Sequence, residues 1–160
     1  MNGSVFQRVL VPTDGSEASI RAARLAVEML RGTAGRLALL FVVDSAVLKE
    51  LRRFGERSER EVESELRDHG KRYLDLLSSD AAATGVAVDT FLREGDPFEE
   101  IVSLARDIGA DLIVMGHLGQ RGTQRVLLGS VTQRVLDFAH CPVLVVKHEP
   151  PSRVGWGTTP

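Results

Sequence analysis

Along this chain five short apolar runs alternate with stretches of helical spacing, and that alternation limits its fold more than any other feature. The first run, Val9-Leu10-Val11, stops at Pro12-Thr13-Asp14-Gly15, as a buried strand feeding a turn does. Behind it Ser16 is placed to cap a helix over residues 17–31. Its stripe is Ile20, Ala23, Leu25 or Ala26, Val27 and Leu30, and Gly32 ends it. Residues 36–43 are too short and too continuously apolar for an amphipathic helix and read as the second strand. Residues 44–85 carry a weaker pattern. Residues 52–60 are charged with only Phe54 as an anchor, which predicts a mobile, partly helical entry; Val62, Leu66, Tyr73 and Leu77 then predict a long helix ending near Ser79. Residues 86–92 alternate apolar and polar side chains as a third strand. Asp96 as cap, Pro97 at the first helical position and Glu99 where a capping-box acid belongs open a helix that carries Ile101, Leu104, Ala105 and Ile108 and closes at Gly109. A strand over 111–115, a loop over 116–129, a helix over 130–140 and a strand over 143–147 complete the pattern. Such alternation predicts an α/β fold: a doubly wound, five-stranded parallel sheet with helices on both faces.

The 160 residues fit one domain, able to bury roughly two-thirds of the surface the unfolded chain exposes. With 22 acidic against 20 basic residues the formal net charge is −2, so the composition recruits neither nucleic acid nor an anionic membrane. One cysteine, Cys141, forms no intrachain disulfide, and its place before Pro142 in an apolar stretch predicts a buried or half-buried thiol in a reducing compartment. Residues 1–7 lack a charged start and an apolar core, and no run approaches the roughly eighteen apolar residues that span a bilayer. The expectation is a soluble, cytoplasmic protein. Residues 149–160 hold three prolines and two glycines with almost nothing to bury, which predicts a disordered tail after a domain over 5–148.

In an open parallel sheet, ligands gather beyond the carboxyl ends of the strands, where the strand order reverses. The informative residues here do follow strands. After the fourth run the sequence reads Gly116-His117-Leu118-Gly119, then nine residues, then Gly129-Ser130-Val131-Thr132. Glycines at 116 and 119 allow close approach and positive φ, so that several N–H groups can face one anion. Gly129 and Ser130 stand at a helix start, where unpaired N–H groups and the helix dipole favour phosphate; the hydroxyls of Ser130 and Thr132 add donors. No Gly-Lys-Ser/Thr loop and no Gly-x-Gly-x-x-Gly fingerprint is present, which removes those two nucleotide-binding readings.

The spacing Gly-x2-Gly-x9-Gly-Ser, with Val-Pro-Thr-Asp-Gly-Ser near the start, Val-Val-Asp after the second strand and Cys-Pro-Val-Leu-Val-Val at the end, resembles the ATP-binding branch of the universal stress protein family across residues 5–147. The resemblance implies a Rossmann-like, adenine nucleotide alpha hydrolase-like fold with ATP as ligand, and Mg2+ or Mn2+ on its phosphates. It implies that Asp14 hydrogen-bonds the nucleoside, that Pro12 and Thr13 shape the pocket floor, and that Val42 meets adenine through its backbone. Met115, Gly116, His117, Gly119, Gly129, Ser130, Val131 and Thr132 are implied to line the ribose and phosphate path. Relatives often carry Ser-Arg or Ser-His in the first loop where this chain has His117-Leu118, which shifts the weight there from side chains to backbone.

Simpler roles exist for several of these residues. Asp14 is a residue type that caps its own turn, the glycines are types that end elements, and Arg121 and Arg125 pair with phosphate or stay in solvent. His117 is assigned no chemical step. His69, His140 and His148 have no companion at metal-ligand spacing, and the mixed charges of 52–67 fit a solvated helix face. The functional expectation is an ATP-binding module of stress response or signalling. Its alternatives are a slow ATPase or nucleotidyl-transfer enzyme, for which no base stands in the phosphate loop, and a nucleotide-free dimerisation module. The strand Val143-Leu144-Val145-Val146 is too apolar for an unpaired edge, and with the resemblance it implies a homodimer paired antiparallel across a twofold axis. The protein partner is not specified by the sequence.

Overall fold

A computed structural model describes residues 5–54, 58–118 and 128–147. In chain order they form β1 (Arg8–Thr13), α1 (Glu17–Leu30), β2 (Arg36–Asp44), α2 (Ser45–Phe54), α3 (Glu59–Ala82), β3 (Ala87–Gly95), α4 (Pro97–Asp107), β4 (Leu112–Gly116), α5 (Ser130–Phe138) and β5 (Val143–Val146). The five strands make one parallel sheet in the order β3-β2-β1-β4-β5. This is the doubly wound architecture that the alternation predicts, and the Rossmann-like fold that the resemblance implies. The expected tail over 149–160 lies outside the described residues.

Alternation along each inner strand divides the core in two. Val9 and Val11 of β1, Leu37, Leu39, Phe41 and Val43 of β2, and Leu112 and Val114 of β4 pack with Ala22, Ala26 and Leu30 of α1 and Leu74 and Leu77 of α3. Leu10, Ala38, Leu40, Ile113 and Met115 point to the other face, against Ile101, Leu104 and Ala105 of α4 and Val135 of α5. The central strands are apolar in both registers because both faces are covered, and each fully buried Leu or Val contributes about 1.5–3 kcal/mol.

The helix starts follow from their caps. Ser16 accepts from the Ser19 amide at 3.2 Å, and Asp96 accepts from the Glu99 amide at 3.1 Å with Pro97 at the first helical position. At the α3 start the Glu61 carboxylate accepts from the Ser58 amide at 3.1 Å.

Several boundaries differ from expectation. The entry over 45–54 is a regular helix, α2, anchored by the buried Leu48, whereas 55–57 lies outside the described residues. Helix α3 runs past Ser79 to Ala82 because Ala81 is fully buried. Strand β3 runs past Leu92 through Arg93 and Glu94, whose charges are paired: Arg93 with Glu100 and Asp107, Glu94 with Arg67. Helix α5 stops at Phe138, where Ala139 turns extended ahead of Pro142.

The two edges of the sheet differ. On β3, Asp89 is held by Arg36 of the neighbouring strand through contacts of 2.9 and 3.1 Å, and Arg93 and Glu94 follow. On β5, Val143 to Val146 carry no charge, and Leu144 is 37% exposed.

Candidate nucleotide-binding cleft

Strand order reverses between β1 and β4, so their carboxyl ends open a crevice. A cleft of ≈640 Å³ occupies it. Pro12, Thr13 and Asp14 line it from the turn after β1, Val42 from the end of β2, Met115 and Gly116 from the end of β4, and Gly129, Ser130, Val131 and Thr132 from the start of α5. Ten of the residues singled out by sequence thus share one cavity. His117 is not among the lining residues, and Gly119, Arg121 and Arg125 lie outside the described residues.

The β1 turn is held by a directed chain of hydrogen bonds. The Gly15 amide donates to Thr13 Oγ1 (3.3 Å), Thr13 Oγ1 and Ser19 Oγ are 3.0 Å apart, and Ser19 Oγ donates to the Ser16 carbonyl (2.9 Å). Ser19 has a single hydroxyl proton and gives it to Ser16, so Thr13 is the donor in the middle bond. Thr13, 4% exposed, therefore builds the turn and has no proton left for a ligand. Asp14 uses Oδ1 to accept the Ser16 amide at 2.9 Å, the Asx geometry of its simpler role. That bond also fixes where its carboxylate stands at the cleft wall.

At β4 the geometry corrects the reason given for Gly116. It is extended, and the glycines with positive φ among the described residues are Gly15, Gly32, Gly85, Gly95 and Gly109. Gly116 is small because α1 crosses it: a Cβ there would stand 2.7 Å from Ala18 Cβ and 2.8 Å from the Ala18 carbonyl carbon. Two backbone groups expected to face phosphate are also committed. The His117 amide donates to the Val146 carbonyl (3.0 Å), and the Gly129 amide donates to the His117 carbonyl (2.7 Å), closing the base of the intervening loop.

The start of α5 keeps its donors. Gly129 is the N-cap in extended conformation with no side-chain cap, and the first intrahelical bond runs from the Gln133 amide to the Gly129 carbonyl. The amides of Ser130, Val131 and Thr132 therefore have no partner within the helix. Thr132, 3% exposed, spends its hydroxyl on the Gly116 carbonyl at 2.9 Å, which clips α5 to β4. Ser130 is exposed, so of the two hydroxyls expected as donors only this one is free of that clip.

Among the described lining residues the formal charges are Asp14 and Asp44, with no lysine or arginine. Sequence reasoning assigned no place in the cleft to Asp44, Ser16, Ser19, Leu66 and His69, all of which line it. The signal for His69 was its place in the α3 stripe, three residues after Leu66 and four before Tyr73. His140 lies elsewhere, its Nε2 3.1 Å from the Ala110 carbonyl. Next to it the half-buried Cys141 thiol is pushed up by burial and, secondarily, by the Asp111 charge. No helix among the described residues is long and apolar enough to cross a membrane.

Universal stress protein MJ0531 of Methanocaldococcus jannaschii is 38% identical over 144 residues, covering 90% of this chain and 84% of that one. The solved structure of MJ0577, a universal stress protein from the same organism, superposes with a TM-score of 0.80 at 32% identity, covering 91% of this chain and 98% of that chain. A universal stress protein solved in complex with cAMP superposes with a TM-score of 0.64 at 25% identity, covering 89% of this chain and 97% of that one. Residues 6–147 match the sequence model of the Universal stress protein family, and the chain belongs to that family.

Proposed function

We propose that the cleft binds an adenine nucleotide, ATP in the first place, and that occupancy governs the contacts of a stress-response or signalling module. The observation that carries this reading is the convergence of the β1 turn, the β2 end and the uncapped start of α5 on one cavity at the strand-order reversal. Free amides at a helix N-terminus favour phosphate through their hydrogen bonds and the helix dipole. Asp14 suits a hydroxyl-bearing sugar or an exocyclic amine, and Val42, Ile101 and Met115 offer an apolar bed for a base. A relative solved with cAMP supports the same ligand class.

No group of three His, Cys, Asp or Glu side chains among the described residues could hold a metal ion. Mg2+ or Mn2+ would accordingly arrive on the phosphates of the nucleotide, with Asp14 and Asp44 as the carboxylates that line the cleft. We further propose a homodimer through β5, whose uncharged edge contrasts with the charged edge of β3.

Mass spectrometry of the small molecule released on denaturing freshly purified protein tests the ligand; ATP, ADP or AMP is expected. Calorimetry with ATP and adenosine tests the site. Asp14→Asn retains an acceptor for the Ser16 amide but loses the charge, and it should weaken both ligands alike. Wild-type protein that binds neither ligand would overturn the reading.

A further inference from the structure

A row of three rings joins the end of β2 to the turn after β1. His69 of α3 stands in the middle: its centroid is 4.8 Å from that of Tyr73 at an interplanar angle of 76°, and 6.3 Å from that of Phe41 at 75°. At each end of the row a ring lies directly on backbone. A Cβ on Gly70 would stand 2.5 Å from the Phe41 ring, so that ring sits on the α3 backbone where a larger residue would exclude it. A Cβ on Gly15 would stand 2.5 Å from Tyr73 Cε2 and 2.7 Å from Tyr73 Cζ, so the Tyr73 ring rests on the turn that carries Asp14. Phe41 and His69 line the cleft, whereas Gly15 and Tyr73 are not among its lining residues.

The contact falls on the softest point of the turn. Gly15 has a φ of +79°, and glycine is the residue least restricted in backbone conformation. Its amide reaches Thr13 Oγ1 at 3.3 Å, a longer bond than the 2.9 Å one by which Asp14 Oδ1 accepts from the Ser16 amide. Local hydrogen bonds therefore leave Gly15 the most room to move, and the carboxylate that lines the cleft is attached next to it. We propose that Tyr73 is a positioning residue for Asp14: its ring, backed by His69, fills the space into which Gly15 would relax and so holds the carboxylate where it meets the nucleoside. Tyr73 acts on the ligand through the turn, without touching it. A turn that kept the binding geometry only about one-tenth of the time would weaken the ligand about tenfold. This rests on the nucleotide reading above.

The test uses the full chain. Tyr73→Leu removes the ring and keeps an apolar side chain in the α3 stripe; Tyr73→Phe keeps the ring. In unliganded protein, hydrogen exchange at the Ser16 amide should be about tenfold faster in Tyr73→Leu and within about twofold of wild type in Tyr73→Phe. The Glu99 amide, held by Asp96 at the start of α4 on the other face of the sheet, should exchange at the wild-type rate in both, which separates a loosened turn from a loosened fold. Calorimetry should show adenosine and ATP weakened alike, by about tenfold, in Tyr73→Leu and by less than about twofold in Tyr73→Phe. On an Asp14→Asn background the same Tyr73→Leu substitution should cost no more than about twofold, because the carboxylate it positions is already gone. Ser16 exchange at the wild-type rate in Tyr73→Leu would overturn the proposal, as would equal acceleration at Ser16 and Glu99, or the full tenfold loss repeated without the Asp14 carboxylate. Wild-type protein that binds neither ligand refutes the nucleotide reading, while the exchange rates still decide whether Tyr73 holds the turn.

Discussion

Substituting Gly116 by alanine asks whether this glycine serves the ligand or the scaffold. Its backbone is extended, so alanine meets no conformational penalty there and gains about 0.5–1 kcal/mol by restricting the unfolded chain. Against this stands overpacking. The added methyl would lie 2.7 Å from Ala18 Cβ, 2.8 Å from Ala18 C and 3.1 Å from Ala18 O, and two of these three atoms are backbone of α1 that no rotamer can move. Overpacking costs about 1–3 kcal/mol, and the backbone contacts place this site near the upper end. The balance is a net loss of about 2 kcal/mol, which for a domain of this size lowers the melting temperature by roughly 4–8 °C. Thermal denaturation followed by circular dichroism, without nucleotide, measures it. Ala18→Gly in the same chain should restore only part of the loss, because it removes one of the three close atoms and costs helix propensity of its own. A Gly116→Ala protein that melts within about 1 °C of wild type, yet has lost ATP, would refute the packing argument and return Gly116 to the phosphate cradle.

Thr132→Val should cost about 1–2 kcal/mol of stability by removing the clip to the Gly116 carbonyl, and Thr132→Ser should recover most of it; a Val variant of unchanged melting temperature but reduced ATP affinity would show that the hydroxyl serves the ligand. Leu144→Lys should turn the proposed dimer into a monomer in sedimentation velocity at unchanged helicity, because a charge on β5 blocks edge pairing; a dimer that survives it uses another surface. The Cys141 thiol, raised by burial and by Asp111, should alkylate more slowly in the native than in the denaturant-unfolded protein at mildly alkaline pH. Because its folded value lies above its unfolded one, the stability it contributes is complete below the unfolded value and is lost as pH rises through the folded one; Cys141→Ala should flatten that alkaline decline in urea titrations.

The legible parts of this fold are those where local chemistry and burial agree. Ser16 and Asp96-Pro97 open α1 and α4 at the positions their side chains dictate, and Leu10 flanked by Val9 and Val11 reads as a strand covered on both faces because it is one. Helix α2 was harder to see because a single buried side chain, Leu48, ties it down, and a lone anchor leaves no periodicity. The C-terminal half of β3 hid behind Arg93 and Glu94, since a sequence shows charges but not the partners 7, 14 and 27 residues away that neutralise them. In the cleft, loop positions could be read because each follows a strand. Their roles could not. Whether Thr13, Gly116 and Thr132 face a ligand or bind their own scaffold depends on Ser19, on Ala18 and on the Gly116 carbonyl, contacts made only once the chain is folded. His69 was assigned no place in the cleft for a related reason, because its role comes from the cavity it faces and not from its sequence neighbours.

The unlike edges of the sheet limit how copies of this chain can add to one another. The β3 border, with Asp89, Arg93 and Glu94 along it, is a poor template for another strand, whereas the short β5 border, uncharged among the described residues, is the receptive one in the dimer proposed above. A molecule with one receptive border has a valence of one. Two copies meeting through β5 would leave the charged border outward at both ends, so the combined sheet would stop at ten strands with no site for a third copy.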